Sequence, residues 1–366
     1  HSREKGRFIK PLEDSIYIQN NIGSQYPNFI RKGEVYPKHL GKEWYEMIVA
    51  KIARRLHFKN LFKETKDPTY GSMQEMGKLS LNGGAYGKLG SPGDWQEDPC
   101  AMLTVTLGCQ LEILMIVEAL ILKGFEIVSL NTDGWDSIVP KSRLEEYFKI
   151  VSHYEKIIGN QELGNVEYTR FEWIAQTSVN HYVAKKIGEY SNGKYYEKTP
   201  ELKSKGMFAY WVELWKNSSF AIFALAWQKY FDEGVDPEEL IMNHDDIFDF
   251  CARSNSGKSF YHESYDEKGK ATKESKLIRY YVGKKGKHIK KVVREGNLTG
   301  AKDTNLRPAD SLKVICNRLP KSSYKEHLDN VDRQWYITEV KNVIYAIENG
   351  KRPKKNNISK DQLSMF

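Results

Sequence analysis

The sequence predicts an α+β fold, with helices and antiparallel strands segregated along the chain instead of alternating. Three observations lead there. Two helical periods follow one another at residues 42–62 and 73–89. A long, almost wholly apolar helix is expected at 100–123, "CAMLTVTLGCQLEILMIVEALILK". Then "IVSLNTDGWDSIVP" (127–140) sets two runs of β-formers around a polar, turn-forming cluster, with no helix between them. A doubly wound sheet needs a helix between successive strands, and a helical bundle has no such hairpin.

In chain order, residues 15–37 read as a strand, a turn and a short apolar segment. Within 42–62, Trp44, Ile48, Ile52, Leu56 and Phe58 mark an apolar stripe. "KDPTYGS" breaks that helix, and the next runs into a Gly-rich turn, "LNGGAYGKLGSPGD". The apolar helix at 100–123 is expected to be buried, and Gly124 ends it. The hairpin at 127–140 carries Asp133 at its tip, with Asp136 expected at the surface. Asn, Asp and Gly are ordinary turn residues, so the hairpin alone favours a solvated turn over a metal ligand. Residues 142–158 read as helix and 165–190 as strands rich in aromatics. After "KSKGMF" (203–208), helices are expected at 216–233, 236–251 and 332–349. A polar, mobile loop is expected at 254–275 and a basic hairpin at 276–294. The tail "NGKRPKKNNISK" is too polar to bury a core.

The chain has 366 residues, enough for two or three domain-sized units. No run of about 18 consecutive apolar residues occurs, so no membrane span is expected. "HSREKGRFIK" lacks the apolar core of a secretory signal. Cys100, Cys109, Cys251 and Cys316 are widely spaced, with no CxxC pair, which argues against a disulfide framework or zinc site and fits a reducing cytoplasm. Residues 251–366 hold 26 Lys plus Arg against 13 Asp plus Glu, a balance of +13; the total of +8 leaves −5 for the first 250. A basic back half suits a polyanion, and tyrosines interleave the charge in "KLIRYYVGKKGKHIKKVVR" (276–294), as nucleic-acid surfaces often do.

Four motifs then appear in order: "NNIGSQYP", "KLSLNGGAYGKLG", "NTDG" and "KSKG". Together they resemble the polymerase portion of bacteriophage family B DNA polymerases, from about Ile16 to the end of the chain. The resemblance implies a right-hand fold: an antiparallel-sheet palm, two-helix fingers and a mixed, basic thumb. It implies palm at 1–40, fingers at 41–95, palm with the catalytic hairpin at 96–210, thumb at 211–350 and a basic tail at 351–366. It implies a template-directed polymerase that adds a deoxynucleotide (dNTP) to a primer 3′-hydroxyl on primer–template DNA. A reverse transcriptase is disfavoured by the "KLSLN…YGKLG" helix and by "KSKG".

That chemistry uses two Mg2+ ions about 3.5–4 Å apart to stabilise the attacking and leaving oxygens, with Mn2+ as a possible substitute. Mg2+ takes carboxylate, carbonyl and water oxygens, so two carboxylates are wanted on adjacent strands of a rigid sheet. The resemblance makes Asp133 one metal ligand, with the main-chain carbonyl of Ile22 beside it. The other carboxylate should stand at Asn21, the first position of "NIGSQYP", where the family has Asp. An Asn there is nearly isosteric but neutral, so metal binding weakens and the chemical step slows. An inactivating substitution in an otherwise intact site fits better than a naturally inactive chain, because the residues around Asn21 match the pattern.

Other roles follow from the resemblance. Ser24, Gln25 and Tyr26 would handle the nucleotide, Tyr26 as the gate that excludes a 2′-hydroxyl. Arg55 and Lys59, four apart and so on one helix face, would close on the phosphates, with Arg54 a rival for Arg55. Lys78 would contact the triphosphate, a point charge suited to phosphate, and Asn82 follows at i+4. Tyr86 follows Asn82 at i+4 where the family has i+3, which leaves open whether Tyr86 stacks near the templating base. Tyr182 and Lys185 in "HYVAKK" would hold the primer strand, and Lys205-Gly206 would lie near its terminus. Gln362, Leu363, Met365 and Phe366 resemble the bacterial sliding-clamp peptide, which anchors in a preformed pocket. Only about 20 residues precede the first motif, so the chain is expected to be the polymerase part alone: a truncation, a proteolysed product, or one half of a split enzyme whose exonuclease is a separate part. The setting implied is the cytoplasm of a bacterial host. The alternative reading is a non-catalytic DNA- and clamp-binding module on the same fold.

Overall fold

In a computed structural model, the described residues are 6–159, 166–191, 193–211, 219–294 and 302–350. The chain divides into two compact units, one formed by 11–172 and 186–200, the other by 1–10, 173–185 and 201–366. The division falls inside three strands, at 172/173, 185/186 and 200/201.

A short strand, β1 (Arg7–Ile9), belongs to the second unit. The first unit opens with β2 (Ser15–Ile22), followed by α1 (Gln25–Lys32), α2 (Gly41–Thr65) and α3 (Pro68–Leu81). The Gly-rich stretch expected to turn stays helical to Leu89 and turns only after it, over 90–93. Asn82–Tyr86 forms a π turn, and α4 (Gly87–Leu89) continues it. Next come α5 (Pro99–Leu122), β3 (Glu126–Leu130), β4 (Gly134–Pro140) and α6 (Leu144–Ile157). Asp67 and Asp98 start α3 and α5, each accepting a main-chain N–H, with Pro at the following position. Strands β5 (Val166–Ser178), β6 (His181–Ser191) and β7 (Lys194–Lys205) complete the order β3-β4-β2-β5-β6-β7.

Strand β2 pairs antiparallel with β4, from Ser15↔Pro140 to Asn21↔Gly134, and with β5, from Tyr17↔Phe171 to Ile22↔Val166. Its alternate residues Ile16, Ile18 and Ile22 meet Ile113, Ile116 and Leu120 of α5 and Tyr147 and Val151 of α6. A second core joins Ile30, Trp44, Ile48, Ile52, Leu81 and Leu89 to Ala101, Val105 and Cys109. Helix α5 therefore serves both cores. It is not wholly buried as expected: Leu103, Leu107, Leu111 and Leu114 form an exposed stripe. By length and composition it is also apolar enough to cross a membrane. Thr104, Thr106, Gln110 and Glu112 interrupt its apolar run, which hides this from a search for consecutive apolar residues.

The second unit pairs β1 with residues 174–176 of β5. It continues with α7 (Ala221–Glu233), α8 (Pro237–Asn243), β8 (Ala252–Asn255), β9 (Phe260–Tyr265) and β10 (Ala271–Lys273). After β11 (Leu277–Val293) come β12 (Thr304–Asn305), β13 (Lys313–Ile315), α9 (Tyr324–Asn330) and α10 (Arg333–Asn349). Three expectations change here. The helix expected at 236–251 ends at Asn243. The expected mobile loop at 254–275 holds strands, because its inward residues His262 and Ser264 are hydrogen-bonded polar groups that give no apolar alternation. The expected basic hairpin is one 17-residue strand, β11. Its register shifts between Val282 and Lys287, where Gly283 and Gly286 come too close to neighbouring backbone for any side chain.

Candidate active site

The first and third motifs meet in the first unit. The hairpin tip closes when the Asn131 N–H donates to the Gly134 carbonyl at 2.8 Å. The Ile22 N–H then donates to the Asp133 carbonyl at 2.7 Å, so the end of β2 and the tip lie side by side. Gly134 is set by this approach, since a Cβ there would run into the Asn20 carbonyl. Asn21 thus has a residue without a side chain across from it on β4 and Glu167 across from it on β5. The Glu167 carboxylate lies 3.5 Å from the Lys59 ammonium. Asp136 is buried, not at the surface as expected, because it accepts the Ser129 hydroxyl at 2.6 Å.

The donor set here is the exposed Asp133 carboxylate, the Asn21 side-chain amide and the Ile22 carbonyl. These are hard oxygens of the class Mg2+ takes, and Gly134 sets no side chain beside them. The set fits Mg2+ with one carboxylate fewer than the motif pattern.

From β2 the chain enters α1 through Ser24, held in the left-handed region at φ 54°, ψ 36°. A non-glycine residue persists there only when its surroundings hold it. Arg55 Nη1 donates to Ser24 Oγ at 2.7 Å. The Arg55 stem crosses Gly77 of α3, where a Cβ would stand 3.1 Å from its own Cβ. Burial lowers the Arg55 pKa, and Glu75 and Glu167 oppose the shift. Arg54 is exposed, with its guanidinium 5.7 Å from the Phe58 ring, whereas Arg55 is the one bonded to Ser24. Gln25 turns its side chain inward. It is buried, and Nε2 donates to the Cys109 carbonyl at 2.8 Å, fastening α1 to α5.

Tyr26 packs against Tyr86, ring centroids 4.4 Å apart at 40°. Burial, then Tyr86, pushes the Tyr26 phenol up to about 12, and the Asp133 charge adds a little. Tyr26 therefore stays protonated at neutral pH. The π turn explains how Tyr86 reaches it. One extra residue in a continuous α-helix would rotate all that follows by about 100°. A π turn takes up one residue, so Tyr86 keeps the direction it would have with three residues after Asn82. Its hydroxyl meets Thr106 Oγ1 at 2.7 Å. Lys78 and Asn82 are exposed, and Lys78 Nζ is 4.0 Å from Glu75.

The remaining positions belong to the second unit. Tyr182 is buried and so is not free to grip a strand as expected. Lys185 is ion-paired to Asp232 at 2.8 Å, which competes with a phosphate contact. Lys205 is exposed. Gly206 has φ 63°, and a side chain there would strike the Asn180 carbonyl and the His181 ring. The Met207 N–H donates to His181 Nδ1 at 3.0 Å across the same turn. On β11, Lys285, Lys287 and His288 are exposed, but Tyr280 and Tyr281 are core residues and offer no stacking surface. Gln362, Leu363, Met365 and Phe366 lie outside the described residues. Glu167 escaped the sequence reading, because its place beside Asn21 depends on strand register that no local pattern signals.

No protein-family model and no curated protein matches the chain. Among solved structures it is similar to the family B DNA polymerase from the hyperthermophilic archaeon Pyrobaculum calidifontis, at 15% identity and a TM-score of 0.47. The match covers 97% of this chain and 48% of that one, so the chain spans about half that protein's length.

Proposed function

We propose that the chain is the core of a template-directed DNA polymerase of the bacteriophage family B type. The observation that carries this reading is the convergence of Asn21, Ile22 and Asp133 at adjoining strand ends, with Arg55 and Tyr26 reached from the next elements. Asp133, Asn21 and the Ile22 carbonyl would hold Mg2+ or Mn2+, which when bound stabilises the attacking and leaving oxygens of nucleotidyl transfer. The protein's own groups position the substrate. Arg55, Lys59 and Lys78 offer cations to a triphosphate, and Arg55 is already oriented by Ser24. The protonated Tyr26 ring, backed by Tyr86, forms a firm wall suited to excluding a 2′-hydroxyl. Lys205 and the basic face of β11 suit duplex phosphates, read without sequence preference. A sliding clamp bound through Gln362 to Phe366, a separate exonuclease part and a bacterial-host setting complete the proposal.

Primer extension with Mg2+, and separately with Mn2+, tests it on this chain beside Asn21→Asp. Extension by either protein supports the reading. Failure of both, with DNA binding intact, favours a non-catalytic DNA- and clamp-binding module, a reading that the neutral Asn21 itself recommends.

A further inference from the structure

Strand β7 ends at Lys205 in extended conformation, φ −141° and ψ 149°, and Gly206 then turns the chain with φ 63°. Resting on the polymerase reading above, we propose that His181 is a positioning residue for the DNA contact made by Lys205. It fixes the Gly206 turn, and with it the direction in which Lys205 leaves the sheet. Glycine visits positive and negative φ about equally, so nothing within Gly206 selects this turn. The selection comes from His181, at the start of the neighbouring strand β6. Its Nδ1 accepts the Met207 N–H at 3.0 Å, and its ring stands where a Gly206 Cβ would go.

The two sides of the turn are not equally free. After it, Phe208 is buried in the core, and its carbonyl accepts from Gln228 Nε2 at 2.6 Å. Between them, Met207 Sδ lies 3.6 Å from Thr177 Oγ1. Before the turn, Lys205 is exposed and has no ion pair among the described residues, unlike Lys185, which Asp232 engages. Any change at Gly206 is therefore taken up on the Lys205 side. A main-chain N–H that loses its acceptor must find another, so removing Nδ1 releases the turn. Burial lowers the His181 pKa, which keeps the ring neutral and Nδ1 an acceptor. Lys205 is thus a cation aimed by a neighbour that itself need not touch DNA.

The probe is a fluorescent primer–template duplex with a recessed 3′ end, titrated with the full chain at several salt concentrations. The slope of log affinity against log salt counts the phosphates neutralised, at about 0.9 per contact. Lys205→Ala is expected to lower that slope by about one contact. His181→Phe keeps a ring but loses the acceptor, and should lower it by the same amount with Lys205 still present. If it does not fold, His181→Leu takes its place. Adding Lys205→Ala to either should then change nothing further. His181→Asn should keep the wild-type slope, because its Oδ1 falls where Nδ1 was. A merely structural loss would lower stability without removing a contact from the slope. A wild-type slope in the folded His181→Phe protein overturns the proposal, and so does a His181→Asn slope as low as that of Lys205→Ala. An unchanged slope in Lys205→Ala also overturns it, since the turn then presents nothing to DNA; the polymerase reading survives each of these. No binding of the duplex by the wild type overturns both.

Discussion

Arg55 donates from Nη1 to the Ser24 hydroxyl at 2.7 Å, joining α2 to the turn that opens α1. The bond orients a guanidinium whose stem already rests on Gly77. Arg55→Ala is expected to weaken triphosphate binding about tenfold or more, the cost of one charge-assisted contact. Arg54→Ala should change it by less than about twofold, since that residue faces solvent. Titration of a fluorescent deoxynucleoside triphosphate onto the DNA complex measures both. Equal losses would return the role to a shared basic surface.

Deleting Gly84 should convert the π turn to α-helix and leave Tyr86 on Tyr26. Gly83 and Gly84 are exposed, and no nearby group limits either one. Removing a helical glycine is worth about 0.5–1 kcal/mol, so thermal melting should show a midpoint unchanged or about 2–4 °C higher. Inserting one alanine after Gly84 should do the reverse, turning Tyr86 away and lowering the midpoint.

Gly134→Ala and Gly206→Ala should each cost about 2–4 kcal/mol, because backbone atoms stand where the new methyl would go. Gly206 adds the strain of a positive φ. Gly93 has φ 78° but open space around it, so Gly93→Ala should cost only about 1 kcal/mol. Urea unfolding ranks the three, and a cost at Gly93 equal to the others would contradict the steric account.

Burial lowers the pKa of both His181 and His262. Each is neutral in the folded chain, where His181 accepts from Met207 and His262 bridges Ser254 and the Ser275 carbonyl. The unfolded chain takes up protons near pH 6.5. Their contribution is therefore fully present above about pH 6.5 and is lost as pH falls through it toward the lower folded values. The urea midpoint should drop between about pH 7.5 and about pH 5.5, and His181→Gln should make that drop shallower.

The sequence was most legible where one period or one turn decides an element. The Trp44, Ile48, Ile52 spacing marked α2, and the "NTDG" break marked the hairpin between β3 and β4. It was least legible where buried groups are polar, as at His262 and Ser264, or where glycine bends a strand, as at Gly283 and Gly286. Within the site, Asp133, Tyr26, Arg55 and Lys59 lie in one unit around the end of β2, each marked in advance by the motif resemblance. Gln25, Tyr182 and Lys185 have the right chemistry, but a carbonyl, a core and an aspartate engage them. Which of two partners a side chain meets is decided by packing that a linear pattern does not record.

Helix α5 has its first half in one core and its second half in the other. Losing it would strip both at once, so those cores cannot melt separately. The hairpin bearing Asp133 and the helices bearing Arg55 and Tyr86 then share one cooperative opening, and their amides exchange with solvent at a common, slow limit. Local breathing that frees the basic helices while the carboxylates stay fixed would have to leave α5 in place. The tilt of α2 and α3 is the motion still open to them.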